Sequence, residues 1–175
     1  MAYIPEKSLH MQMLTQRRVP KLYLETTVFN FFFFGKDGKK QQDTHMLFEA
    51  IKKGKYEVFS SQLVYDEIAK DKSNRKNNMK ELVDKYILNI LDYDKKVYEL
   101  ADKYVKSGIM PVKYIRDAWH IATATVNRLD FVVSFNMNHI VKHKTMIGTG
   151  FTNLQYGYRQ IGLCTPTEVV EYGQK

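Results

Sequence analysis

Four stretches hold the side chains best suited to chemistry. LYLETTVFN, residues 22–30, ends an apolar run in Glu25 and two hydroxyls, Thr26 and Thr27. SSQLVYDEI, 60–68, carries Asp66 and Glu67; RDAWHIATA, 116–124, carries Asp117 and His120; DFVVSFNMNHI, 130–140, carries Asn136 and His139. Carboxylates brought together from separate segments repel one another and raise at least one pKa, a repulsion that a divalent cation relieves. Mg²⁺ and Mn²⁺ take hard oxygen ligands of this kind, acidify water and stabilise in-line displacement at a phosphodiester. Each residue also has a plainer reading. Glu25 can be a solvated strand-end acid. Asp117, on the rim of a buried stripe, either reaches water or is held inward by a compensating cation. His120, one turn further on the same face, is a proton donor or a supporting group, or a hydrogen-bonded structural histidine.

The elements around these residues decide whether they meet. A strand is expected over 21–26, a helix over 41–53 closed by Gly54, and a second strand over 56–60. Ser60 or Ser61 then caps the helix SQLVYDEIAKD, and DKSNRKNN is a loop or a helix start. Helices follow over 79–91, 95–106 and 113–128, punctuated by Gly108 and Pro111. FVVSFN reads as a third buried strand, and 161–163 as a fourth before the closing helix TPTEVVEY. Short apolar strands alternating with helices predict an α/β fold, a central parallel sheet flanked by helices. In such sheets the ligand crevice lies outside the carboxyl ends of the strands. Glu25, Glu67 and Asn136 all fall at that edge. Asp66, turned by about 100° from Glu67 on the same helix, faces solvent.

A chain of 175 residues fits one domain, here 21–175, preceded by a leader arm over 1–20. That leader lacks the basic-then-apolar order of a secretory signal, and no run approaches the ~20 apolar residues of a membrane span. The single cysteine, Cys164, excludes an intrachain disulfide and a multi-thiolate zinc site, and the cytoplasm is the expected compartment. Lys and Arg number 27 against 19 Asp and Glu, a net +8 that suits nucleic acid as partner or reflects solvated lysine faces. Phe29 and 31–34 offer either a stacking platform for single strands or core filling and a dimer contact.

In this order the four motifs resemble those of the PIN-domain ribonucleases, including VapC-like toxins of toxin–antitoxin pairs, over about 21–172. The resemblance implies a three-layer PIN-like fold. It implies metal binding by Glu25, Glu67 and Asp117 with Asn136 at the fourth catalytic position, and Thr26 or Thr27 orienting water or phosphate. His120 and His139 are supporting residues. It further implies Mg²⁺ or Mn²⁺ as cofactor, hydrolysis of single-stranded RNA to 5′-phosphate and 3′-hydroxyl ends, a homodimer and an antitoxin protein. Two positions depart from the commonest pattern, Glu25 for Asp and Asn136 for Asp. A catalytically weak PIN-like module that binds RNA or protein is therefore the alternative.

Overall fold

The computed structural model describes residues 18–33 and 37–172. Residues 1–17 of the expected leader, and Phe34, lie outside them. Strand β1 (Lys21–Leu24) leads directly into helix α1 (Thr26–Phe33), then α2 (Gly38–Lys52). Strand β2 (Glu57–Ser61) feeds α3 (Gln62–Lys70) and α4 (Lys76–Tyr86) before β3 (Asn89–Leu91). Helix α5 (Lys95–Lys106), a 3₁₀ turn (Val112–Tyr114) and α6 (Ile115–Val126) precede β4 (Phe131–Val133). Helix α7 (His143–Gln155), β5 (Gly162–Cys164) and α8 (Pro166–Tyr172) close the described chain.

The five strands form one parallel sheet in the order β3-β2-β1-β4-β5. Side chains alternate across it as the pleat requires. Leu22 and Leu24 of β1, Val58 and Val133 pack with Val28, Phe29, Leu47, Phe48, Val64 and Val83 on one face. Tyr23, Phe59, Val132 and Leu163 pack with Val97, Leu100, Tyr104 and Ile121 on the other. Helices on both faces make three layers. After β1 the chain moves outward through β2 and β3; β4 then returns to β1's other side and β5 continues outward. The strand order thus reverses between β1 and β4, where parallel sheets open a crevice at their carboxyl ends.

Three local expectations need correction. The helix expected over 79–91 begins earlier and ends at Tyr86, and 89–91 is an edge strand. Ile87, Leu88, Ile90 and Leu91 fit a helical stripe by spacing, yet Asn89 registers with Phe59 of β2, and short apolar runs carry both periods. The strand expected to Thr26 stops at Leu24, because Thr26 already opens α1. Helix α7 was not anticipated, since its pattern is inverted. It buries Thr145, Thr149, Thr152 and Asn153, while Met146, Ile147, Phe151 and Leu154 are exposed. Gly148 lets it sit close: a Cβ there would lie 2.7 Å from Ile109.

Among the phenylalanines, Phe29 is core, Phe32 and Phe33 pack against it, and Phe31 meets Phe135 with ring centroids 4.8 Å apart and planes tilted by 59°. No helix among the described residues is long and apolar enough to cross a membrane.

Candidate metal centre

The crevice between β1 and β4 is built by continuing each strand one residue. Glu25 N–H donates to Val133 O, so the residue after β1 lies beside the residue after β4, Ser134. Glu25 is 5% exposed, and its carboxylate is met by small polar groups. Its Oε2 accepts from Thr27 N at 3.1 Å, Thr27 Oγ1 at 2.5 Å and Ser134 Oγ at 2.8 Å. Thr27 Oγ1 in turn accepts Phe135 N at 2.9 Å, which ties the β4 exit to the start of α1. No Lys or Arg pairs with Glu25 among the described residues. Burial therefore holds its carboxyl above the ordinary range; the charge of His120 and the Thr27 and Ser134 hydrogen bonds offset this only in part.

Glu67 sits opposite, on α3, in a contrasting environment. Its Oε1 accepts Arg116 Nε at 3.0 Å, and its Oε2 pairs with His120 Nε2 at 3.2 Å and accepts the Thr26 hydroxyl. Burial pushes this carboxyl up, but His120, Thr26 and Arg116 outweigh it and hold the pKa down to about 2. His120 is 1% exposed, and its Nδ1 lies 2.7 Å from Tyr23 OH, itself 2.6 Å from Ser61 Oγ. Burial opposes charge on this ring. The bond to Glu67 and the fields of Glu67, Glu25 and Asp117 overcome it and raise the pKa.

Asp117, in the first turn of α6, lies on the same rim. Burial raises its carboxyl; the charges of His120 and His139 pull the other way, Glu67 adds to the rise, and an Asn136 side-chain bond lowers it. Asn136 uses Oδ1 to accept His139 N at 3.1 Å, fixing the turn after β4. The His139 ring stacks on Tyr114 with centroids 3.6 Å apart.

Glu25, Glu67 and His120 each present a ligand atom within 4.8 Å of the others. Asp117 is outside that tight group and is linked to it through its interactions with Glu67 and His120. The donor set suits a hard divalent cation: carboxylate oxygens predominate, and neither the buried Glu25 nor the half-buried Asp117 has a Lys or Arg paired to it among the described residues. His120 already spends both ring nitrogens on Tyr23 and Glu67, which marks it as a support for the acids. Thr26 and Thr27 hold Glu67 and Glu25 respectively. Asp66 points elsewhere, accepting Tyr93 OH at 2.6 Å.

The sequence did not single out Arg116, Ser134 or Tyr23, and it offered Ser61 only as a helix cap, whereas the Ser61 hydroxyl makes no capping bond and meets Tyr23 OH instead. Ser134 was legible in principle, since parallel neighbours with Glu25 and Asn136 at their ends leave it beside the first acid. Arg116 adjoins Asp117 in the same motif, but a surface arginine and a site arginine read alike in one dimension.

The PIN domain family model matches residues 22–142. No curated protein matches the sequence. Among solved structures, one described as VapBC2 from Rickettsia felis bound to a DNA fragment from their promoter is similar at 14% identity. That comparison covers 83% of this chain and 98% of that one, with a TM-score of 0.49.

Proposed function

The chain belongs to the PIN domain family, whose members are generally nucleases, and from that premise we propose that it is a divalent-metal-dependent endoribonuclease of single-stranded RNA. The observation that carries this reading is the buried Glu25 carboxylate, unpaired with any Lys or Arg among the described residues and set beside Glu67 at the sheet's switch point. Glu25, Glu67 and Asp117 would hold Mg²⁺ or Mn²⁺, with Asn136 completing the polar ring around Asp117. When bound, such an ion supplies electrophilic charge and a water of lowered pKa to phosphodiester hydrolysis. Thr27 and Ser134 fix the Glu25 carboxylate by its Oε2. His120 and Thr26 fix Glu67, with His120 Nε2 lying 3.2 Å from its Oε2.

We extend the proposal to a cytoplasmic homodimer that is the toxin of a two-gene pair, held by an antitoxin protein. A neighbouring reading frame for a small DNA-binding protein is the test of that extension. The enzymatic reading is tested by incubating single-stranded RNA with the protein in Mn²⁺ and in EDTA, and with Asp117→Asn. The expected result is Mn²⁺-dependent fragments with 5′-phosphate ends, lost in EDTA and in the variant; cleavage that persists in either refutes the mechanism. One feature favours a second reading, RNA or protein binding without cleavage: Arg116 and His120 already compensate Glu67. Tight RNA binding in Mn²⁺ without any fragments would select it.

A further inference from the structure

Two buried hydroxyls stand behind His120 where packing alone does not call for them. Tyr23 of β1 and Ser61, the last residue of β2, are both 0% exposed, and their side-chain oxygens lie 2.6 Å apart. Tyr23 registers with Phe59, so Ser61, two residues further along β2, falls on the same face of the sheet. A plain aromatic ring would fill the Tyr23 site without adding a polar group that burial obliges the protein to satisfy. Ser61 precedes α3 with the extended backbone of a helix cap, φ −142° and ψ 166°, yet its side chain makes no capping bond. Such a bond contributes about 1 kcal/mol. The serine forgoes it and meets Tyr23 instead.

Tyr23 carries this order on to His120. Its hydroxyl lies 2.7 Å from Nδ1, and at the other nitrogen Nε2 lies 3.2 Å from Glu67 Oε2. Flipped about its Cβ–Cγ bond, the ring would present carbon atoms to both partners, so the two contacts together select one orientation. His120 is 1% exposed, and bulk solvent cannot replace a partner it loses. The two rings also pack, with centroids 5.7 Å apart. One line of contacts thus joins β2, β1, α6 and α3 through Ser61, Tyr23, His120 and Glu67. Among the described residues the Ser61 hydroxyl bonds Tyr23 alone.

We propose that Tyr23 and Ser61 are positioning residues, which act through His120 to hold the Glu67 carboxylate beside Glu25 in the arrangement that takes a divalent cation. Ligand atoms of Glu25, Glu67 and His120 lie within 4.8 Å of one another, a spacing that is lost when one carboxylate rotates. Groups that orient a metal-binding side chain without touching the ion govern affinity in this way. Ser61 has one route to Glu67, the Tyr23 hydroxyl, and so its effect must vanish once that hydroxyl is removed. The assignment rests on the metal-dependent reading only in taking a divalent cation as what Glu67 holds.

The test has a metal-free arm and a metal arm, run on wild type, Tyr23→Phe, Ser61→Ala and the double variant well below their melting temperatures. Without metal, proton–nitrogen NMR spectra of the histidine rings report on His120. Wild type gives one sharp set of signals, and Tyr23→Phe a broadened or split set as the ring samples its flipped orientation. By calorimetry, Mn²⁺ affinity falls about tenfold in Tyr23→Phe and about threefold in Ser61→Ala. The double variant loses no more than Tyr23→Phe alone. Hydroxyls that serve only the core lower the melting temperature and move none of these readouts. Sharp His120 signals in Tyr23→Phe, unchanged Mn²⁺ affinity there, or full additivity in the double variant each overturns the assignment. If Tyr23→Phe does not fold, Ser61→Ala carries both readouts, and wild-type values in it overturn the assignment equally. If wild type binds no Mn²⁺, the metal-dependent reading falls and the His120 signals decide alone. Binding with the expected losses in a protein that leaves RNA uncut removes the nuclease reading and leaves this one standing.

Discussion

Two halves of one crevice treat their carboxylates in opposite ways. On the β1–β4 side, Glu25 is surrounded by hydroxyls and an amide, and burial drives its pKa up. On the α3–α6 side, Glu67 meets Arg116 and His120, and its pKa is held at about 2. Both acids lie within a cation's reach of each other, so the difference comes from which neighbours carry charge. Hydroxyls orient a carboxylate without neutralising it; an arginine does both. On the proposed reading the first half would take a cation from solution, and the second would be the prepaired wall beside it.

The sharpest way to break this contrast is to neutralise each acid in turn. Glu25→Gln is expected to lower RNA cleavage by at least about 10³-fold, yet to leave metal-free stability equal or higher, since it removes a buried charge that no Lys or Arg pairs with. Fluorogenic RNA cleavage and thermal melts in EDTA check the two halves of that expectation. Glu67→Gln should do the reverse to stability. It strands Arg116 and His120 and costs about 2 kcal/mol after allowance for partial exposure, measured by urea unfolding.

Titration sharpens the contrast further. Glu25 and Asp117 bind protons more tightly folded than unfolded, so their contribution favours folding at acid pH and is lost as pH rises through their folded pKa values. Glu67 contributes stability above the ordinary glutamate value of 4.5, lost as pH falls through about 2. Above the ordinary carboxylate range, metal-free melting temperatures should accordingly decline with pH, and Mn²⁺ should cancel the decline. Mn²⁺ affinity by calorimetry should rise by about tenfold per pH unit while one proton is displaced. A flat affinity would mean that Glu25 is already ionised. The smallest effect belongs to Ser134→Ala, which deletes one bond to Glu25 and should cost about 1 kcal/mol, read as a modest shift in the urea midpoint.

Much of the site was legible because the acids follow strands whose apolar runs announce themselves. Glu25 after LYL, Glu67 after the strand ending in SS, and Asn136 after FVVSF are placed by topology alone. Arg116 was not legible, since its role depends on which atoms face it across the site, not on what precedes it in the chain. The same limit hid β3, where Asn89 to Leu91 carry a helical stripe and become a strand only by pairing with β2. It hid α7 too, whose inward face is threonine and asparagine held by their own hydrogen bonds. Thr145 donates to His139 O, and Asn153 accepts Tyr104 OH at 2.5 Å.

The contact between Ser134 and Glu25 joins positions 109 residues apart. A ribosome making this chain therefore releases the first acid long before the strand that orients it has been translated. Until β4 slots in beside β1, the emerging polypeptide carries its acidic residues as scattered, separately hydrated charges. For a protein proposed to destroy RNA, that separation sets an order of assembly: 109 further residues are translated after the first acid before the pocket that holds it can close.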